Sequence, residues 1–418
     1  MCYLYTLTQY MTYLYNLLEI LIILVPILLS VAYMTIIERK VMGSMQRRIG
    51  PNIVGYYGVL QPFADALKLV VKEQIIPSQS TKSLFFIAPM LSLIFSLLGW
   101  GVIPFGPGLA LSDFSLGILY SLALSSIGVY GILFAGWSAN SKYAFLGSLR
   151  STAQMISYEL IYSAAVLSVI LLCGSFNITK IIEAQQNIWY VIPLLPIFVL
   201  FFVSALAETN RTPFDLPEAE SELVAGFMTE HSGMIFVFFF LAEYSSIVLM
   251  STFTAILFLG GYNTIGPISM IFTILSTPLE YFGFVMGSNM SVPFGDIISY
   301  STNRNWSQKR TTFFGVRWYS INIQRISLAI KSVFFMFVFV WIRATLPRLR
   351  YDQLMVFCWT RMLPVAIRLL ILIPSIVIAF EISPVYLILS RFLGGAKPPP
   401  IFLVNTDVLI GLPNDPLF

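Results

Sequence analysis

Charge is the scarcest commodity in this sequence. Of 418 residues only 11% are Asp, Glu, Lys or Arg, against about 25% in an ordinary soluble domain. With 57% hydrophobic residues and a mean hydropathy of +0.83, the chain cannot close as a water-soluble globule. Metal ligands and nucleophile partners are equally thin. One histidine, His231, leaves a Ser-His triad or a metal cluster almost no material. Three cysteines, Cys2, Cys173 and Cys358, are odd in number and far apart, which excludes a disulfide framework and a CxxC clamp. The net charge of +4 is too small and too spread out for a nucleic-acid footprint. Apolar runs of this length also exclude disorder. Any chemistry must run on carboxylates, arginines and aromatics.

What is present is a series of apolar runs near 20 residues, the length that crosses a hydrocarbon core of about 30 Å as a helix. Eight are strong, near residues 14 to 36, 84 to 104, 115 to 136, 153 to 173, 188 to 207, 234 to 259, 326 to 342 and 363 to 390. A ninth, 268 to 286, is weakened by Pro278 and Glu280. No basic region precedes the first run, and Glu38-Arg39-Lys40 follows it, so it reads as a retained span with Pro26 as a tolerated kink. Between the first two spans, residues 53 to 76 place Asp65, Lys68, Lys72 and Glu73 among apolar positions at helical spacing. That pattern predicts an amphipathic helix, lying along the membrane interface or packed on another subunit.

The basic residues orient the bundle. Fourteen lie in the segments after spans 1, 3, 5 and 7: Arg39, Lys40, Arg47, Arg48, Lys68, Lys72, Lys82, Lys142, Arg150, Arg211, Arg343, Arg348, Arg350 and Arg361. Outside residues 260 to 331, the opposite side holds only Lys180, Arg391 and Lys397, so the first-loop side is the positive-inside side. The stretch 260 to 331, with six basic residues on the nominally outer side, reads as an insertion in preference to a local change of topology.

Seven of the twenty acids fall between 205 and 245: Glu208, Asp215, Glu218, Glu220, Glu222, Glu230 and Glu243. Pro213 and Pro217 forbid one continuous helix through them. The expectation is a span ending near Glu208, a turn, and a helix restarting at Pro217 with Asp215 near its cap. Mutual repulsion and burial there raise proton affinity while the helix dipole lowers it, so the net sign is not legible in sequence. Glu159 sits about two turns inside the fourth span and Glu243 near the middle of the sixth. An acid at such depth costs about 2.5–3.5 kcal/mol on insertion scales, which marks an ion or proton path or a structural pair. A solvated face would explain the loop acids, but not these two. The Arg39 and Arg47-Arg48 region reads as topology anchors, or as a mouth with arginines at headgroup level beside an apolar wall, suited to an amphipathic lipid-soluble ligand. His231 reads as a satisfied loop histidine rather than a proton relay.

Five polar strings inside this apolar chain resemble the chain 1 family of mitochondrial NADH:ubiquinone oxidoreductase, respiratory complex I. They are ERKVMGSMQRRIGPNIVGYYGVLQPFADALKL, GWSANSKYAFLGSLRSTAQMISYE, AETNRTPFDLPEAESELVAGF, FFFLAEY and WIRATLPRLRYDQLM, in family order across about 14 to 262 and 326 to 374. The resemblance implies an eight-helix membrane subunit that joins the electron-transfer arm to the proton-pumping arm. It also implies ubiquinone as substrate, with flavin and iron–sulfur clusters in neighbouring subunits. By resemblance Arg39, Gln46 and Arg48 line or support the quinone mouth, with Glu208 and Arg211 beside the chamber. Glu208, Asp215, Glu218, Glu220 and Glu222 form an acidic loop, and Glu159 and Glu243 continue the carboxylate path into the membrane. Arg343, Arg348, Arg350 and Asp352 are expected against the hydrophilic arm. Residues 263 to 325 and the tail from about 381 exceed the family pattern and are expected to meet accessory subunits.

The expected fold is therefore an all-α membrane protein of eight transmembrane helices plus an interfacial amphipathic helix. Its parts are a membrane domain over 1–262, an insertion over 263–325, the last two spans over 326–392 and a tail over 393–418. The expected role is a core quinone-site subunit of the proton-translocating NADH:ubiquinone reductase in the mitochondrial inner membrane, with loops 1, 3, 5 and 7 on the matrix side and no catalysis by the isolated chain. The rival is a cation/proton secondary transporter, which predicts an internal repeat that the two halves do not have.

Overall fold

The structure is a computed structural model that describes residues 2–186, 188–215, 226–263 and 314–380. Among the described residues every regular element is helical: α1 (Cys2–Met45), α2 (Gln61–Val71), α3 (Lys82–Leu98), α4 (Gly117–Ser138), α5 (Lys142–Cys173), α6 (Ile178–Ala184), α7 (Leu195–Glu208), α8 (Met234–Leu259), α9 (Phe314–Thr345), α10 (Tyr351–Val356) and α11 (Leu363–Phe380). Among the described residues seven helical stretches are long and apolar enough to cross a membrane: those of α1, α3, α4, α5, α8 and α9, and the run through α10 and α11. The fold is an all-α membrane protein. The remaining apolar helix, α7, has 14 residues, or about 21 Å of rise. It starts later than the run at 188 because Pro193 and Pro196 hold the preceding segment in turns.

Several boundaries differ from the sequence expectation. The amphipathic helix covers 61–71 instead of 53–76, because Gly55, Tyr57 and Gly58 all adopt positive φ just before it. At Gly58 a Cβ would lie 2.3 Å from the Pro51 carbonyl oxygen, so that turn requires glycine. The fourth span, α5, begins at Lys142, eleven residues before its apolar run, with the Ser141 hydroxyl accepting from the Ala144 amide at 3.3 Å. The last span begins at Tyr351, inside the basic loop, and passes through a six-residue π-helical stretch, Phe357–Met362. Residues 314–325, assigned to the insertion by sequence, are the first turns of α9. The weak ninth run at 268 to 286, the rest of the insertion, the helix restart at Pro217 and the tail lie outside the described residues.

The core is built around α5. Tyr158, Ile161, Tyr162, Ala165, Val166 and Val169, spaced three and four apart, form its buried stripe. They belong to one apolar cluster with Phe201 and Ala205 of α7 and Phe253, Ile256, Leu257 and Phe258 of α8. Gly147 lets the 226–228 turn close on α5, since a Cβ there would lie 2.7 Å from the Gly226 Cα.

Polar groups collect at the two ends of this apolar body. At one end the segments after spans 1, 3, 5 and 7 meet. Asn140 Nδ2 donates to the Gln79 carbonyl at 3.3 Å, the Ile75 amide donates to Ser232 Oγ at 3.0 Å, and the Leu349 amide donates to the Pro213 carbonyl at 3.0 Å. At the other end Lys331 Nζ donates to the carbonyls of Leu259, Gly261 and Asn263 at 2.7, 2.9 and 2.5 Å, capping the C-terminus of α8. Lys331, at the end of the basic stretch 260 to 331, thus sits at the C-terminal end of α8.

Candidate functional site

The site grows from the way α7 ends. After Glu208 the chain turns through Asn210, at φ 49°, and the Arg211 carbonyl accepts from the Phe214 amide at 2.8 Å. Gln154, fully buried on α5, fixes that turn by donating from Nε2 to the carbonyls of Ala207 and Phe214, both at 2.8 Å. The proline-interrupted turn predicted from TPFD is present, and its exposed backbone groups find partners in neighbouring helices.

This turn aims Arg211 into the bundle. Its Nη1 lies 3.0 Å from Glu38 Oε1 and its Nε 2.9 Å from Glu243 Oε1. Its guanidinium also stands 4.5 Å from the Tyr244 ring centroid. Glu38 in turn receives Tyr244 Oη at 2.7 Å on Oε2, and its Oε1 pairs with Arg343. The side chains of Glu38, Arg211 and Glu243 are only 5%, 8% and 12% exposed. Burial works against the charge on Arg211, but the Glu243 and Glu38 carboxylates outweigh it and hold the guanidinium's pKa well above its ordinary range. One cation is therefore shared by two carboxylates, each carried by a different helix.

Behind this network lies a cavity of about 150 Å³ between α3, α4, α5, α7 and α8. Glu208 and Glu243 both line it, together with Tyr162, Ser125 and Ser246. A volume of that size holds a few waters at about 30 Å³ each. Glu159 stands against the α4 side, where Ser126 Oγ bonds to its Oε1. The structure thus brings Glu159, Glu208 and Glu243 around one region, with Arg211 joining Glu243 to Glu38.

The other predicted residues are placed separately. Arg39 pairs with Asp65 at 2.9 Å, at 50% and 40% side-chain exposure. Arg48 Nε donates to Gln46 Oε1 at 2.8 Å. Arg39 and Arg48 line a surface groove with Ile49, Pro51 and Ile53, so this set forms a basic and apolar rim, one residue along α1 from the buried Glu38. Asp215 is buried and pairs with Arg348 at 3.0 Å. Glu218, Glu220 and Glu222 lie outside the described residues. Among the described residues no three His, Cys, Asp or Glu side chains meet in a way that could hold a metal.

Some partners were not read from the sequence. Arg343 and Arg348, expected in the last loop against the hydrophilic arm, pair with the buried carboxylates Glu38 and Asp215 while staying partly exposed. His231 lies in a loop, as read, but its surroundings are aromatic rather than polar. It is buried, stacks on Phe85 at 4.1 Å and meets Phe239 edge-on, and burial lowers its pKa to about 4. The imidazole is neutral near pH 7. Sequence reasoning also misses Glu38, Tyr244 and Gln154. A signal exists for Glu38, the acid that stands directly before Arg39 and Lys40 at the end of the first span; for Gln154 there is none.

Known proteins place this geometry. A family model described as NADH dehydrogenase matches residues 18–374. The chain belongs to the NADH dehydrogenase family. A member from Mycosarcoma maydis, named NADH-ubiquinone oxidoreductase chain 1, is 74% identical over 371 residues, covering 89% of this chain and 98% of that protein. The Podospora anserina protein of the same name is 53% identical over 377 residues, covering 90% and 99%. An NADH-quinone oxidoreductase subunit from Rhodospirillum centenum is 48% identical over 366 residues, covering 88% and 95%. The buried network of Glu38, Arg211, Glu243, Tyr244 and Arg343 is built from the strings that carried the resemblance, whereas the cavity draws also on α3 and α4, outside them.

Proposed function

We propose that this chain is a core membrane subunit of the proton-translocating NADH:ubiquinone oxidoreductase, complex I, and that it forms part of the ubiquinone chamber. The observation that carries the site-level reading is the sharing of Arg211 between Glu38 and Glu243, with Glu243 opening onto the cavity that Glu208 lines.

Ubiquinone enters at the rim of Arg39, Gln46 and Arg48. The cations meet the polar headgroup there, while Ile49, Pro51 and Ile53 offer an apolar wall. Electrons arrive from flavin and iron–sulfur clusters in neighbouring subunits, and the isolated chain performs no redox step. Quinone reduction takes up protons, so it alters the charge next to the acidic loop of Asp215, Glu218, Glu220 and Glu222. Arg211 answers a change at the Glu38 side by shifting its pairing toward or away from Glu243, because both carboxylates draw on one positive charge through different nitrogens of the same guanidinium. Glu243, Glu208 and Glu159 then carry the change to pumping subunits in the membrane arm. The chain sits in the mitochondrial inner membrane with loops 1, 3, 5 and 7 on the matrix side. Residues 264–313 and the tail face accessory subunits. A cation/proton transporter is not favoured, since the chain has the family membership of an oxidoreductase and no internal repeat.

Assembled enzymes carrying Glu159→Gln or Glu208→Gln should retain electron input yet lose most coupled quinone reduction and proton pumping. Full activity and full pumping in both would defeat the carboxylate path.

A further inference from the structure

One turn of α4 sets two neighbouring hydroxyls between two carboxylates. Ser125 Oγ and Ser126 Oγ both reach the Leu122 carbonyl, at 2.8 and 3.0 Å. Ser126 Oγ is also bonded to Glu159 Oε1 on α5, whereas Ser125 lines the cavity alongside Glu208 and Tyr162. Glu208 Oε2 is buried there and has no hydrogen-bond partner. Hydroxyls that merely satisfy themselves within a helix are common here: Ser92, Ser96, Ser121 and Ser246, all on the same cavity, donate back to a carbonyl three residues earlier. Ser126 differs from these in having a carboxylate within reach.

A serine hydroxyl has one hydrogen and two lone pairs, so Ser126 cannot donate to Leu122 and Glu159 together. When Glu159 is ionised, Ser126 donates to it and leaves the Leu122 carbonyl to Ser125. When Glu159 is protonated, the acid donates to Ser126, whose own hydrogen turns back to Leu122 and competes with Ser125 there. Ser125 is then free to donate across the cavity wall to Glu208, where it stabilises the carboxylate. We propose that Ser125 and Ser126 act as a positioning pair that couples the protonation states of Glu159 and Glu208 through reorientation of the two hydroxyls about the Leu122 carbonyl. No covalent bond is exchanged. The proposal rests on the carboxylate path described above.

The test uses the assembled membrane-bound enzyme with Ser126→Ala, Ser125→Ala and Ser126→Thr, set beside Glu159→Gln. In infrared difference spectra of Ser126→Ala the protonated Glu159 carboxyl band should move to the higher frequency of an unbonded acid, and fewer protons should be moved per electron. Ser126→Thr, which keeps the hydroxyl, should restore both readouts. Ser125→Ala should lower pumping while leaving the Glu159 band in place. Should Ser126→Ala fail to assemble, Ser126→Cys, a weaker donor of similar volume, carries the same expectations. An unchanged band and unchanged stoichiometry in Ser126→Ala, with pumping lost in Glu159→Gln, overturns the hydroxyl pair and leaves the carboxylate path standing. Full pumping in Glu159→Gln overturns the path and, with it, the pair's role.

Discussion

Glu38 and Arg39 are neighbours in sequence and opposites in environment. Adjacent residues on an α-helix point about 100° apart, which sends Glu38 into the bundle and Arg39 onto the rim. Glu38 pairs with Arg211 at 3.0 Å with side chains 5% and 8% exposed, while Arg39 pairs with Asp65 at 2.9 Å at 50% and 40% exposure. The distances are nearly equal, but the energetics are not. Water and salt screen the outer pair, whose contribution is about 0–1 kcal/mol. The inner pair has given up its hydration, so losing one partner strands a charge in a low-dielectric interior. The difference teaches that ion-pair geometry alone says little about this subunit, and that burial divides its structural charges from those able to meet a ligand.

The sharpest way to break this comparison is to strand one inner charge. Glu38→Gln or Arg211→Met should destabilise the subunit by about 3–5 kcal/mol. The expected signs are low recovery of assembled complex and faster thermal inactivation, with Arg211→Met the worse because it also releases Glu243. A variant with wild-type recovery and inactivation rate would erase the distinction between the two pairs. His231 sharpens the same point from the other direction, because it is a buried base that burial has made neutral. Its folded pKa of about 4 lies below its ordinary 6.5. Its contribution is therefore complete above pH 6.5 and is lost as pH falls from 6.5 towards 4, since the unfolded chain takes up the proton first. The loss amounts to about 3 kcal/mol. Stability measured across that window should be flatter for His231→Phe than for wild type. An equal slope would mean that His231 carries no such penalty. Asp215→Asn falls between the extremes, because its partner Arg348 is 35% exposed. A loss of about 1–2 kcal/mol is expected in thermal inactivation of the assembled enzyme.

The helices were legible because lipid leaves a simple record: a run near 20 apolar residues has few alternatives to a spanning helix. Their ends were less legible. Lys142 and Tyr351 start helices within polar segments, where the apolar run gives no warning and capping or packing decides. The site was readable as a set of acids, since charge among apolar residues needs a reason. Which carboxylate meets which cation was not. Arg211 and Glu38 are separated by 173 positions, and Arg343 and Glu38 by 305. Single-sequence reasoning has no means of bringing such residues together. The pairing of Arg343 and Arg348 with buried carboxylates escaped it for the same reason. Cation counting assigns a residue to a side of the membrane, but not to the inward or outward face of its helix.

The smallest expected effect on stability tests the functional half of the comparison. Arg39→Ala or Asp65→Asn should change the stability of the assembled enzyme by at most about 1 kcal/mol, and by less in high salt. If the rim is where the quinone headgroup first meets the protein, the two variants must nevertheless part in kinetics. Arg39→Ala removes the cation and should raise KM for a short-chain quinone with little change in kcat. Asp65→Asn only frees that cation from its partner and should leave KM near wild type or lower it. Equal KM values in both variants would make the exposed pair a topology anchor alone and shift the search for the quinone's first contact to Arg48 and Gln46.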